Sequence, residues 1–493
     1  MKENNLIVVT TNDTSFEYDI HSLVKAFYPE CVVRVAAEET KDSSDFGLPD
    51  LHIMFEKEAV LLSLVNGEGG TASFSAKKIE ISQELPRTEV KNRLKQLIYV
   101  TLSEHTGKQL PWGTLTGIRP TKIPMAMLEE GCGEEEILKY MEETYFAGKE
   151  KSVLALEIAK REKALLENLH YENGYSLYIG IPFCPTTCLY CSFTSYPIVS
   201  WKKRVGEYLD ALEREIDFAA SSQAGKILDT VYIGGGTPTT LEPDDLRRLL
   251  GKLQGTLDLS RVKEFTVEAG RADSITAEKL QVLKEFGVNR ISVNPQTMKQ
   301  ETLDVIGRKH TVEQVKEAFY LAREAGFTNI NMDLILGLPG EGAEDVQNTM
   351  REIAALSPDS LTVHSLAIKR ASRLSQWVEE NGLSLLNNTD ETMEITAKGA
   401  EEMGMVPYYL YRQKNMAGNF ENVGYAKRED CFGIYNILIM EEKQNIIALG
   451  AGSISKRIFP DGRIERCENV KDVSQYIERI GEMIERKCVL LED

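Results

Sequence analysis

No stretch of this chain is long and apolar enough to span a bilayer, so a transmembrane segment is not expected. Basic residues are in the minority: 57 Lys and Arg stand against 76 Asp and Glu, a formal net charge of −19. That balance argues against nucleic acid as a partner. The opening residues, Met1 to Thr10, lack the apolar core and cleavage site of a secretory leader. Cysteine is too scarce for a disulfide scaffold, eight in 493 residues, and a reducing cytoplasmic setting is expected. What is left is an ordinary globular composition, 42% hydrophobic and 27% charged, with length enough for two or three domains.

Three of the eight cysteines are bunched in Cys184-Pro-Thr-Thr-Cys188-Leu-Tyr-Cys191. They follow the apolar run Leu177 to Phe183, which reads as a buried strand. The thiols therefore fall on the loop at a strand's C-terminal end, where α/β folds collect ligands. Soft thiolates suit an iron–sulfur cluster or zinc. Three leave either centre one ligand short, and an open position on a cluster iron is a place for chemistry. A zinc site with a distant fourth ligand and inert buried thiols are the alternatives.

Residues 1–110 read as an N-terminal α+β domain, with strand-like runs at 6–10, 31–35, 51–55, 60–64 and 73–81. A helix is expected over 88–105, with Gly107 as its stop. His21, His52 and His105 read as ordinary surface or packed histidines. The Gly- and Pro-containing stretch Leu110 to Ile123 reads as a loop; Trp112, Arg119 and Lys122 in it could meet an anion or merely build a linker. Helical patterns at 120–131, 134–145 and 150–169 make 111–172 a helical linker. From there strand and helix alternate. Strands are expected at 175–181, 229–233, 263–268, 289–294, 328–334 and 360–366, with helices between them at 201–220, 242–254, 276–286, 311–325 and 343–356. Such alternation implies parallel strands with right-handed crossovers, here a partial (β/α)6 barrel core over 173–370. Repetition stops after about 370. Residues 371–493 read as a C-terminal α+β cap over the barrel mouth, with helices at 389–403 and 472–487. Arg412 and Lys414 in it could pair with substrate carboxylates or be surface charges. The scattered Cys31, Cys132, Cys431, Cys467 and Cys488 read as structural thiols.

The second motif is Gly234-Gly-Gly-Thr237, one strand after the cysteine loop. Glycines let backbone approach a ligand and expose N–H groups, although a tight turn needs them too. Later strand ends each carry a polar residue: Glu268, Gln296 and Asp333. One alone could cap a helix; three in successive units read as a site. Arg308 adds a cation near the same rim, a forked donor for a carboxylate.

The cysteine segment, with its Tyr-x-x-Ile-Pro-Phe lead-in and Tyr190 between the last two thiols, resembles the cluster loop of radical S-adenosylmethionine (SAM) enzymes. Within that superfamily it is most similar to the oxygen-independent coproporphyrinogen III dehydrogenase family, in its HemZ-type branch. The resemblance covers about residues 175–460; the N-terminal third fits only that branch. It implies that Cys184, Cys188 and Cys191 hold one [4Fe-4S] cluster whose fourth iron takes the amino and carboxylate groups of SAM. It places cofactor contacts at Tyr178, Tyr190, Gly235, Gly236, Thr237, Glu268, Gln296, Arg308, Asp333, Ala367 and Ile454. It further implies one or two bound SAM molecules, a tetrapyrrole substrate, and an electron donor and acceptor. In the resembled family a 5′-deoxyadenosyl radical attacks the β-carbon of a propionate on coproporphyrinogen III. Carbon dioxide and one electron leave, a vinyl forms, and a second propionate follows.

Two departures bear on the substrate rather than on the cofactor chemistry. Phe193 stands where the enzymatically proven branch has a fourth cysteine, and Gly180 where it has histidine. A haem-chaperone branch shares the phenylalanine, but its tail carries His-Asn where this chain has Tyr435-Asn436. Three readings stay open: an oxidoreductase on a porphyrinogen, a haem-binding carrier, and a radical enzyme with another substrate.

Overall fold

In the computed structural model, residues 5–37, 44, 48–66, 73–82, 84–117, 119–193, 195–369, 372–382, 385–413 and 420–492 are described. The chain forms two compact units, one of residues 1–160 with 412–420, the other of 161–411 with 421–493.

The first unit is built on five strands, β1 (Leu6–Thr11), β2 (Val32–Ala37), β3 (Pro49–Phe55), β4 (Ala59–Asn66) and β5 (Ser73–Glu80), in the order β2-β1-β3-β4-β5. β1 runs parallel to both neighbours, and β3 to β5 form an antiparallel meander. A helix at Arg87–Thr106 matches the sequence reading and ends at Gly107, whose φ of 68° supplies the left-handed cap. A second helix, Glu17–Phe27, was not read from the sequence. Its Ile20, Leu23, Val24 and Phe27 pack with Ile7, Val9, Leu51, Leu62, Leu94 and Ile98 in one core.

The second unit carries an eleven-stranded sheet. The chain enters it at β6 (Gly174–Ile181), makes a separate two-stranded sheet of β7 (Phe183–Cys184) and β8 (Tyr196–Pro197), and returns to it with β9 (Ile227–Gly235), β10 (Glu264–Gly270), β11 (Arg290–Val293), β12 (Ile330–Leu336) and β13 (Ser360–Ser365). β6 and β9 to β13 lie side by side in chain order, every neighbouring pair parallel. Each crossover steps one place in the same direction, so all connecting helices fall on one face. That winds a barrel rather than an open doubly wound sheet. The expected partial (β/α)6 barrel is therefore what forms, and its helices, such as Val312–Glu324 with the Thr311/Gln314 capping box, match their expected ranges within a few residues.

The C-terminal α+β part attaches to both edges of this sheet. β14 (Val406–Tyr411) and β15 (Asn422–Ala426) add antiparallel strands beside β13. β16 (Asn445–Leu449) pairs parallel with β6, and β17 (Ile454–Ile458) and β18 (Ile464–Glu468) extend outward from it. The edges that would close an eightfold barrel are thus taken by these strands. Thr389 caps its helix as read from the sequence. The single helix expected at 472–487 is two, Val473–Glu478 and Ile480–Leu491, because Arg479 leaves helical geometry at φ −111° just before Gly481. Lys414 lies outside the described residues.

Candidate functional site: a thiol loop on the barrel rim

β6 brings the chain out of the apolar interior, with Leu177, Ile179 and Ile181 fully buried, and the three cysteines follow at the rim. Cys188 is buried; Cys184 and Cys191 are half-buried. The loop is fastened to the opposite side of the rim. The Leu189 N–H donates to Ile306 O at 2.9 Å, and Leu189 O accepts from Leu374 N–H at 2.9 Å. Thr186 Oγ1 donates to Gly307 O at 3.0 Å. Leu189 and Tyr190 pack on an apolar cluster that includes Leu303, Ile306, Leu338 and Leu374. Burial, then the nearness of Cys191 and Cys188, pushes the Cys184 thiol up to about 11, against a hydrogen bond from Thr237. Burial raises Cys191 as well. A dry nest of neighbouring thiols resists ionising unless positive charge sits among them.

The glycine turn lies against this loop. A Cβ on Gly236 would fall 2.6 Å from Phe183 O, and one on Gly234 would fall 2.9 Å from the Glu268 carboxyl carbon. Gly235 sits at φ 101°, closed to other residues. The N–H groups that the sequence reading left exposed are partly engaged: Gly236 donates to Ile181 O at 2.8 Å and Thr237 to Phe183 O at 2.7 Å. The turn therefore staples the strand that carries the first cysteine, and Thr237 Oγ1 reaches Cys184 Sγ at 3.5 Å. A cleft opens here, walled by Tyr178, Gly180, Phe193, Gly235 and the turn Ala451–Ser453. Ile454, next in the chain, is half exposed.

The polar strand ends gather on the same rim. Glu268 accepts from Tyr232 OH at 2.5 Å, and burial first of all lifts its carboxyl to about 7. Asp333 accepts from Asn331 Nδ2 at 2.7 Å and lies 3.8 Å from His364 Nε2; these partners outweigh burial and hold its carboxyl below the usual range. Gln296 is a non-glycine residue at φ 71°, held there because its N–H donates to Asp333 O and its carbonyl accepts from Ile335 N–H, each at 2.9 Å. Its Oε1 is buried and meets no donor, as is Asn294 Oδ1 two residues before. Backbone strain and orphaned polar atoms in one place mark a site awaiting a partner. Arg308 donates to Tyr190 OH at 3.2 Å and to Asn294 O. Ala367 follows the end of β13.

A family model for the radical SAM superfamily matches residues 178–353, the stretch from the middle of β6 into the helix before β13. The oxygen-independent coproporphyrinogen-III oxidase-like protein HemZ of Bacillus subtilis is 38% identical, over 98% of this chain and 96% of its own length. The chain belongs to this coproporphyrinogen-III oxidase-like family of radical SAM proteins. The haem chaperone HemW of Bacillus subtilis is 34% identical over 62% of this chain and 76% of its own. The structure of coproporphyrinogen III oxidase (HemN) from Escherichia coli, a radical SAM enzyme, aligns over 65% of this chain and 73% of its own. At a TM-score of 0.50 and 24% identity it supports the fold.

Radical SAM proteins use a [4Fe-4S] cluster and S-adenosylmethionine. The donor set fits a cluster better than a single ion. A structural zinc wants four ligands, whereas three soft thiols on one loop suit a cubane with one corner left open.

Beside the residues that the resemblance marks, the structure brings in others. Tyr178, Tyr232 and Tyr435 stack in the barrel, with ring centroids 6.1, 4.5 and 6.0 Å apart. The position aligned with the chaperone branch's histidine is thus an aromatic packing position. Glu215, on the helix Val205–Ser222, accepts from Lys487 Nζ at 2.5 Å, Asn469 Nδ2 at 2.7 Å, Tyr476 OH at 2.6 Å and the Gly450 N–H at 2.7 Å. That fully buried knot fixes the Gly450–Ser453 turn beside the cleft. Arg271, Asp273 and His310 cluster beneath the cysteine loop. Arg271 was discoverable by following the chain three residues past Glu268, to the residue after the strand end Gly270. Arg412 is neither a surface charge nor open to a substrate: it is buried, donates to Leu115 O and lies 6.0 Å over the fully buried Trp112 ring. That also assigns Trp112 to packing rather than to an anion.

Proposed function

We propose that the protein is a radical SAM oxidoreductase that decarboxylates propionate side chains of coproporphyrinogen III to vinyls without oxygen. The observation that carries the proposal is the trio of thiols at the rim end of β6, stapled to the glycine turn. Cys184, Cys188 and Cys191 hold the cluster in this reading. Tyr190, Gly235, Gly236, Thr237 and Glu268 hold the SAM bound to it; Gln296, Arg308, Asp333 and Ala367 hold a second. Tyr178 and Ile454 wall the cleft. When bound, the cluster supplies the electron that cleaves the sulfonium and frees a 5′-deoxyadenosyl radical. The chain's own work is to orient SAM and substrate and to keep water from the radical. The functional parts are the barrel core 173–370 and the cap 371–493, with 1–110 and 111–172 as accessory domain and linker. The names of the relatives, coproporphyrinogen III oxidases and a protein like them, support the tetrapyrrole substrate.

A second reading, a haem carrier, is favoured by the likeness to HemW and by Phe193. Anaerobically reconstituted protein, given coproporphyrinogen III, SAM and reductant, separates the two. Protoporphyrinogen formation is expected. Tight haem binding with no product supports the carrier, and SAM cleavage with neither outcome points to another substrate.

A further inference from the structure

Arg271 follows the left-handed Gly270 at the rim end of β10 and is buried, 2% exposed as a residue. Its fork closes on Asp273, Nε to Oδ1 at 3.0 Å and Nη2 to Oδ2 at 2.7 Å. The remaining arm, Nη1, enters the cysteine loop. It donates to Thr186 Oγ1 at 2.7 Å and Thr186 O at 3.1 Å, and it stands 3.9 Å from Cys188 Sγ. Thr186 passes the restraint on to Gly307 O. His310, fully buried, backs Asp273 at 3.7 Å.

A buried ion pair is a poor way to gain stability, because desolvation offsets most of the attraction. Here the pair accomplishes something apolar packing could not. It aims a permanent positive charge at one thiol of the trio, in a medium of low dielectric. Hydrogen bonds to cluster sulfurs and net local charge set the potential of an iron–sulfur centre. A cation at Cys188 favours the reduced state, which carries one more negative charge. Thr237 at Cys184 is a neutral, weaker counterpart.

We propose that Arg271 is a positioning residue that clamps the cysteine loop and raises the cluster's reduction potential through Cys188, with Asp273 fixing its direction. This rests on the reading of the three thiols as cluster ligands.

The test is a reductive titration of the anaerobically reconstituted full chain followed by electron paramagnetic resonance, with iron and sulfide counted in every sample. Arg271→Met with a full complement of iron is expected to disfavour reduction at least tenfold, about 59 mV for one electron. Arg271→Lys keeps the charge and should stay near wild type; Thr237→Val should shift the same way by less. An unchanged midpoint in iron-replete Arg271→Met overturns the proposal. If that variant takes up no iron, Arg271→Gln, which keeps a donor for Thr186 but no charge, gives the same comparison. If both neutral variants lose iron while Arg271→Lys binds it fully, the residue only holds the fold and the tuning role is rejected. Wild-type protein that assembles no cluster would instead sink the reading beneath it, a distinguishable failure.

Discussion

The two ends of the barrel treat buried polar groups in opposite ways. At the base, where the strands begin, Asp229, Gln444 and Arg290 are paired into a network. Asp229 accepts from Gln444 Nε2 at 2.6 Å and from the His170 N–H at 3.2 Å, while Gln444 Oε1 accepts from Ser176 at 2.8 Å. Arg290 spends one nitrogen on Asn329, Ser360 and Cys431 O, at 2.8, 3.0 and 2.8 Å. At the rim, Asn294, Gln296 and Arg308 each leave a buried atom without a partner, and Gln296 is held at φ 71°. A closed network holds a fold together; an open one is complementary to something not yet bound.

The largest test of that contrast is at the base. Arg290→Met takes the donor from Asn329 Oδ1, Ser360 Oγ and Cys431 O and leaves Glu264 without its cation. It should lower unfolding free energy by about 3 kcal/mol or more in urea titrations while leaving SAM affinity alone. Asp229→Ala comes next, at about 2 kcal/mol, as Gln444 and His170 lose their acceptor. Glu268 sharpens the rim side. Its carboxyl is lifted to about 7 in the folded protein, against 4.5 in the open chain. The folded state holds that proton between the two values, so the stability it contributes is whole below pH 4.5 and lost as pH rises through 7. The cofactor-free protein should lose on the order of 3 kcal/mol across that window, and Glu268→Gln should flatten the slope. Smallest in stability is Gln296→Gly, which relieves the left-handed backbone. Unfolding free energy should hold or rise by about 1 kcal/mol. Equilibrium dialysis should nonetheless show SAM binding at least tenfold weaker. Destabilisation of Gln296→Gly on the scale of Asp229→Ala would erase the distinction between the ends.

Much of this was readable before the fold was known. Strands buried on both faces must be continuous apolar runs, so β6 and β9 to β13 announced themselves, as did the order of their crossovers. The cysteine and glycine motifs were legible because their geometry is local: spacing alone sets it. The helix Glu17–Phe27 has its apolar residues at helical spacing but only three turns of them, and it passed unnoticed among strands. Pairings across long separations left no trace in the sequence. Nothing in Asn445–Leu449 says it will lie beside β6, and nothing local links Arg271 to Thr186, 85 residues away, or Glu215 to Lys487, 272 residues away. Trp112 and Arg412 show the converse, since residue types that suit a ligand also suit each other.

The last of those pairings bears on how the protein is made. Lys487 belongs to the final helix described, yet its ammonium helps lock the Gly450–Ser453 turn against the cleft that opens beside Cys184. On the ribosome the thiols emerge some three hundred residues before that lock can close. The pocket wall is therefore finished only once Lys487 has been made, and cluster loading into a complete, water-shielded cavity has to wait for it.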